Sequence, residues 1–115
     1  MSIGGRKLAE LIRELVSEDR RVRESGSDRV EDWMRSYSPK EARAIAGTLA
    51  MMASFEESEV CLEAQLHALS EMDTADRIGD ADLTPLRDID AAAIGAEHRE
   101  YLECLEPYLD RDAPE

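Results

Sequence analysis

Apolar residues recur at helical spacing through most of this chain, and no segment alternates convincingly at every second position. Leu8, Leu11, Ile12, Leu15 and Val16 fall at i, i+3, i+4, i+7 and i+8. That spacing lines one face of a 3.6-residue repeat and predicts an amphipathic helix. With no strand pattern anywhere, the expected class is all-α. Helices of this kind bury their stripes only against other helices.

The segment SEDRRVRESGSDRVEDW, residues 17–33, is dense in charge yet keeps a second stripe. Val22, Gly26, Val30, Trp33 and Tyr37 lie at offsets 0, 4, 8, 11 and 15. Glycine inside a helix costs about 1 kcal/mol relative to alanine. On the stripe it lets another helix come close. The alternative is that Ser25-Gly26-Ser27 ends one helix and Ser27 caps the next. Ser38-Pro39-Lys40-Glu41 predicts a helix start, with Ser as N-cap, Pro at N1 and Glu closing a capping box. Ala42, Ile45, Ala46, Leu49 and Met52 form its stripe. Ser54-Phe55-Glu56-Glu57 repeats the capping pattern and predicts a fourth helix to Met72. Its broad apolar set of Val60, Leu62, Ala64, Leu66, Leu69 and Met72 marks it as the most buried helix. Asp73 to Asp82 reads as a connection. Thr84-Pro85 opens a short helix to Asp88. The last long helix is expected over Gly95–Glu106, with Ile94, His98, Tyr101, Leu102 and Leu105 inward. Pro107 should end or kink it, and the tail DRDAPE should fray.

The first helix followed by Asp19 and then Val22-Arg23 resembles a HEAT repeat, whose unit is a helical hairpin with an Asp in its turn and Val-Arg opening the second helix. Glu59-Val60 takes the matching place in a second hairpin, with Cys61 where the family often has Arg. Ala64 then stands where Gly26 stands in the first. The Val22–Val60 spacing of 38 residues is just under the roughly 40–47 of such repeats. A third unit lacks the signature. The resemblance implies two to three stacked antiparallel hairpins, over 6–37, 38–72 and a degenerate 83–109, in one domain of 115 residues. An irregular helical bundle is the alternative. Stacked hairpins of this family act mostly as binding surfaces. HEAT-like DNA glycosylases share the architecture but use a basic DNA-facing surface.

This chain is acidic, with a net charge of −13. Residues 1–53 hold 10 Lys+Arg and 9 Asp+Glu, a net of +1; residues 54–115 hold 4 and 18, a net of −14. Such a surface repels phosphate, so direct nucleic-acid binding is disfavoured. It serves either as a solubility device or as a footprint for a basic partner. No apolar run approaches the roughly 20 residues of a membrane span, and MSIGGRKLAE has no secretory core. A cytoplasmic protein is expected, with Cys61 and Cys104 as buried reduced thiols.

Catalytic and metal patterns are not found. Glu63 and His67 sit one helical turn apart, but two ligands are too few where structural metals take four. Asp73, Asp76, Asp80 and Asp82 miss the calcium-loop register, because Ala75 falls at its third position. Gly4-Gly5 lacks the Lys-Ser/Thr sequel of a phosphate loop. No cofactor and no enzymatic activity are therefore expected. Trp33 and Tyr37 read as core, rather than as a platform stacking a ligand with Arg29.

Two lines of glutamates remain. Glu56, Glu59 and Glu63 recur at i, i+3 and i+7, and Glu97, Glu100 and Glu103 make a comparable line on the last helix. In a hairpin stack these helices lie side by side, and the six residues are the candidate partner-binding strip. Size, charge and helical architecture together resemble the immunity proteins of bacterial toxin systems. That resemblance implies an inhibitor covering the active surface of a basic, nuclease-like toxin domain. The alternative is a HEAT-like scaffold or adaptor for another cytosolic protein.

Overall fold

The computed structural model describes residues 1–109; the tail expected to fray lies outside them. Five α-helices carry the fold: α1 (Gly5–Leu15), α2 (Arg20–Asp32), α3 (Pro39–Ala53), α4 (Glu59–Thr74) and α5 (Ala96–Leu109). Short 3-10 turns span Met34–Ser36, Thr84–Asp88 and Ala91–Ala93. Among the described residues there is no strand, and the all-α reading of packed helical hairpins holds.

α1 and α2 form the first hairpin. The Asp19 side chain caps α2 by accepting from the Arg21 amide at 2.9 Å. Gly26 lies inside α2 and is buried. A Cβ there would stand 2.9 Å from Glu14 Cβ and 3.4 Å from Leu15 Cδ2. The glycine therefore sets how closely the two helices approach, and the linker alternative is excluded. The stripe, however, does not run unbroken to Tyr37. α2 stops at Asp32, and the 3-10 turn brings Tyr37 back under the hairpin. Its hydroxyl donates to the Val30 carbonyl at 2.7 Å. Burial, with Asp32 and Glu41 nearby, raises the tyrosine pKa. Trp33 ends half-buried, flanked by Lys7 at 5.5 Å and Arg29 at 5.7 Å from its ring centre. It packs on the core cluster.

α3 and α4 form the second hairpin. The Ser38–Glu41 capping box is formed as predicted. Glu41 does more than close it. Its Oε1 accepts from the Ser38 and Ile3 amides at 2.9 and 3.0 Å. Its Oε2 accepts from the Ser2 hydroxyl at 2.6 Å and the Gly4 amide at 3.1 Å. One carboxylate thus serves the starts of both α3 and α1. The Ser2 hydroxyl first, then the Ser38, Ile3 and Gly4 amides, hold its pKa down at about 2 against the opposing effect of burial.

The second predicted capping box is not formed. Ser54 is the C-cap of α3, and α4 starts four residues later with Ser58 accepting from the Cys61 amide at 3.2 Å. α3 and α4 bury eight residues each, so α4 is not uniquely buried. It is nonetheless central, packing on α2, α3 and α5. Its C-terminus closes with Asp76 at φ 59 and the Arg77 amide on the Met72 carbonyl at 2.7 Å, a Schellman ending without glycine.

The expected short helix at Thr84 is a 3-10 turn whose Leu86 is buried. α5 passes through Pro107 instead of ending there. The proline sits in the last turn, where only the Glu103 carbonyl loses an intrahelical partner, and Glu103 is exposed to water. Cys61 is buried as expected, whereas Cys104 is exposed on α5. Among the described residues, no helix is long and apolar enough to cross a membrane.

Candidate functional site

The predicted glutamate strip is redistributed by the fold. Glu56 precedes α4, and its side chain is only 1% exposed. It meets Arg23 of α2 in a forked pair, Nε to Oε1 and Nη2 to Oε2, both at 2.8 Å. The Ser58 amide and Gln65 Nε2 donate to it as well, at 3.1 and 2.9 Å. Burial alone would raise this carboxyl; Arg23, Ser58, Cys61 and Gln65 outweigh burial and hold it at about 2. The same environment pushes the Cys61 thiol up to about 12, through burial first, then hydrogen bonding with Glu56 and the Glu56 charge, with Arg23 opposing. Cys61 is accordingly a poor nucleophile. Glu56 ties the two hairpins together and is not available to a partner, which corrects its place in the strip.

Glu63 keeps the role of a surface group and gains neighbours. Its Oε2 accepts from the Tyr101 hydroxyl of α5 at 2.8 Å, and its Oε1 lies 3.3 Å from His98 Nε2. Tyr101 is raised to about 12, by the hydrogen bond to Glu63 first, then burial, then the charges of Glu63, Glu97 and Glu100. Members of both predicted lines therefore act on one phenol. Glu59 is exposed at the first turn of α4. Glu103 departs from the group: it lines a separate groove with Leu86, Arg99 and Leu102.

The structure adds acids that periodicity in the second half did not offer. Glu24 and Asp28 of α2 face Val60, Glu63, Ala64 and His67 of α4 across an open groove of about 320 Å³, closed on one side by Tyr101. His67 bridges the same helices, its Nδ1 2.8 Å from Glu31 Oε2 and its ring edge-on to Tyr101 at 5.9 Å. The signal for these residues was present. Glu24, Asp28 and Glu31 recur at i, i+4 and i+7, off the Val22–Gly26–Val30 stripe. A near-neutral tally over residues 1–53 hid them.

The groove thus has carboxylates on two helices, a phenol and an imidazole on its walls, and Val60, 53% exposed, at its edge. It is suited to receiving cationic side chains with aliphatic stems. Among the described residues, no group of three or more His, Cys, Asp or Glu is placed to hold a metal ion. No family model, curated protein or solved structure matches this chain. Its function is therefore read from the groove itself.

Proposed function

We propose that this chain is a non-catalytic protein-binding module, an immunity-type inhibitor that engages a basic protein domain through the α2–α4–α5 face. The observation that carries the reading is the convergence of Glu24, Asp28 and Glu63 on one groove, with Glu97 and Glu100 close enough to raise Tyr101. Among the described residues, none of Glu24, Asp28, Glu97 and Glu100 is neutralised by a salt bridge. Uncompensated like charges on one face are retained at a cost in self-repulsion and act by steering an oppositely charged partner. The net −14 of residues 54–115 extends the same field. A HEAT-like stacking of the hairpins accounts for the side-by-side helices that build the face.

The test is affinity capture from native lysate with the wild-type chain and with Glu24→Lys/Asp28→Lys/Glu97→Lys, each captured protein being identified by mass spectrometry. A basic protein retained by the wild type and lost by the variant is the expected result. Retention by both, at low and high salt alike, would reduce the acidic face to a solubility device. A basic partner with no toxic activity when expressed alone would make the chain an adaptor.

A further inference from the structure

A second surface, built from the connections between helices, also carries exposed apolar side chains. Phe55, the single phenylalanine of the chain, is 62% exposed; Met51 is 45% and Val16 41% exposed. Phe55 and Val16, with Met52 beneath them, line an open groove of about 370 Å³ between the α1–α2 turn and the α3–α4 connection. Apolar groups gathered in this way mark a contact site more often than scattered surface residues do.

The groove is fixed from below. Arg23 reaches it with four of its five N–H donors committed: Nε and one of Nη2 to Glu56, and Nη1 to the Ser17 and Glu18 carbonyls at 2.9 and 3.1 Å. The guanidinium therefore locks the two connections together, and its charge is matched by Glu56. Glu18 and Glu57 also line the groove. Both are exposed, and among the described residues neither makes a salt bridge. The rim is negative, the walls are apolar, and the shape is set before anything binds, which lowers the ordering cost of association.

We infer that this groove is a docking site for a partner segment that presents one large apolar side chain flanked by Lys or Arg. The inference rests on the reading of the chain as a protein-binding module for a basic partner, and adds a second, apolar point of attachment. Charge complementarity selects the occupant. An acidic segment would be repelled by Glu18 and Glu57. A second copy of the chain would set each rim against itself across a two-fold axis, because such contacts use the same patch on both sides.

Synthetic peptides provide the probe: an apolar anchor (Leu, Met, Phe or Trp) between Lys-Arg pairs, the same basic sequence with Ser as anchor, and the same anchors between Glu pairs. Binding is followed by amide chemical shifts of the labelled protein. The anchored basic peptides should perturb Val16, Phe55 and Glu57, and Phe55→Ser should weaken them roughly tenfold. Phe55 is exposed, so that variant keeps its fold. Equal binding of the Ser-anchored peptide, or shifts confined to the Glu63–Tyr101 groove, would overturn the inference while leaving the basic-partner reading intact. A dimer that depends on Phe55 in analytical ultracentrifugation would overturn it in favour of self-association. Failure of every basic peptide to bind at any surface would remove both readings together.

Discussion

Glu56 and Glu63 are seven residues apart, and both accept hydrogen bonds from another helix or its side chains. Their surroundings make them different kinds of group. Glu56 is sealed, with a forked arginine, an amide and a glutamine around it. Glu63 is about 40% exposed and shares its oxygens with a phenol and an imidazole. A carboxylate in the first setting is part of the framework, because removing it leaves a largely buried arginine without its counter-charge. In the second setting water replaces whatever is lost, and the charge stays free to act at a distance. The same residue type thus holds the hairpins together at one end and presents a field at the other.

The contrast is broken most severely at Glu56. Glu56→Ala leaves Arg23, only 16% exposed, without its partner, and should cost about 3 kcal/mol, the lower end for a broken buried pair because some water reaches Arg23. Urea titration measures this, and Glu63→Ala should cost under about 1 kcal/mol in the same experiment. The pH dependence has a definite direction. The folded Glu56 carboxyl is held at about 2, below its ordinary 4.5. Its contribution is therefore complete above that ordinary value and is lost as pH falls from there towards 2. Glu56→Gln should flatten the acid limb of the stability curve, leaving Glu41, also at about 2, and Asp82, lowered by its hydrogen bonds from Thr84, to supply what remains of it.

Next in size is the helix approach at Gly26. Gly26→Leu should cost about 1–3 kcal/mol by overpacking against Glu14 and Leu15. Gly26→Ala should fail to return the roughly 1 kcal/mol that alanine gains in an unobstructed helix. If both variants were as stable as wild type, the contact would be looser than 2.9 Å implies. Smaller again is Tyr101→Phe, at about 0.5–1.5 kcal/mol for one hydrogen bond. Spectrophotometric titration sharpens the comparison further: Glu63→Gln should lower the Tyr101 pKa from about 12 towards its ordinary 10.0. Smallest in stability, within about 0.5 kcal/mol, is Glu97→Gln/Glu100→Gln. It should slow association with a basic partner at low salt and have little effect at high salt.

Much of this fold is legible in the residue spacing. The α1 stripe from Leu8 to Leu15, the cap at Ser38 and the glycine on the inner side of α2 each depend on local geometry, and each holds; Val16, counted on that stripe, caps the helix and is exposed. The failures share one cause. Ser54 and Ser58 both offer a hydroxyl ahead of a helix, and Ser54 has the better local pattern because Glu57 completes its box. The structure uses Ser58, which leaves Glu56 outside the helix and free to meet Arg23, 33 residues away. A long-range pair decided between two local options, and spacing contains no information about such a pair. Of the strip, Glu63, Glu97 and Glu100 gather at Tyr101, while Glu56 and Glu103 face elsewhere. Counting charge along the chain also missed Glu24 and Asp28, because α2 belongs to the near-neutral half in sequence and to the acidic face in space.

Glu41 has a consequence for motion. Its two oxygens hold the amides of Ile3, Gly4 and Ser38, so the residues leading into α1 and the N-cap of α3 share one acceptor, although they are more than 30 positions apart. Neither can expose its amides fully while that carboxylate stays in place. The two helix starts should open as one cooperative unit, with the three amides exchanging hydrogen for deuterium at a common rate. Glu41→Gln should uncouple them, and Ile3 and Gly4 would then exchange ahead of Ser38.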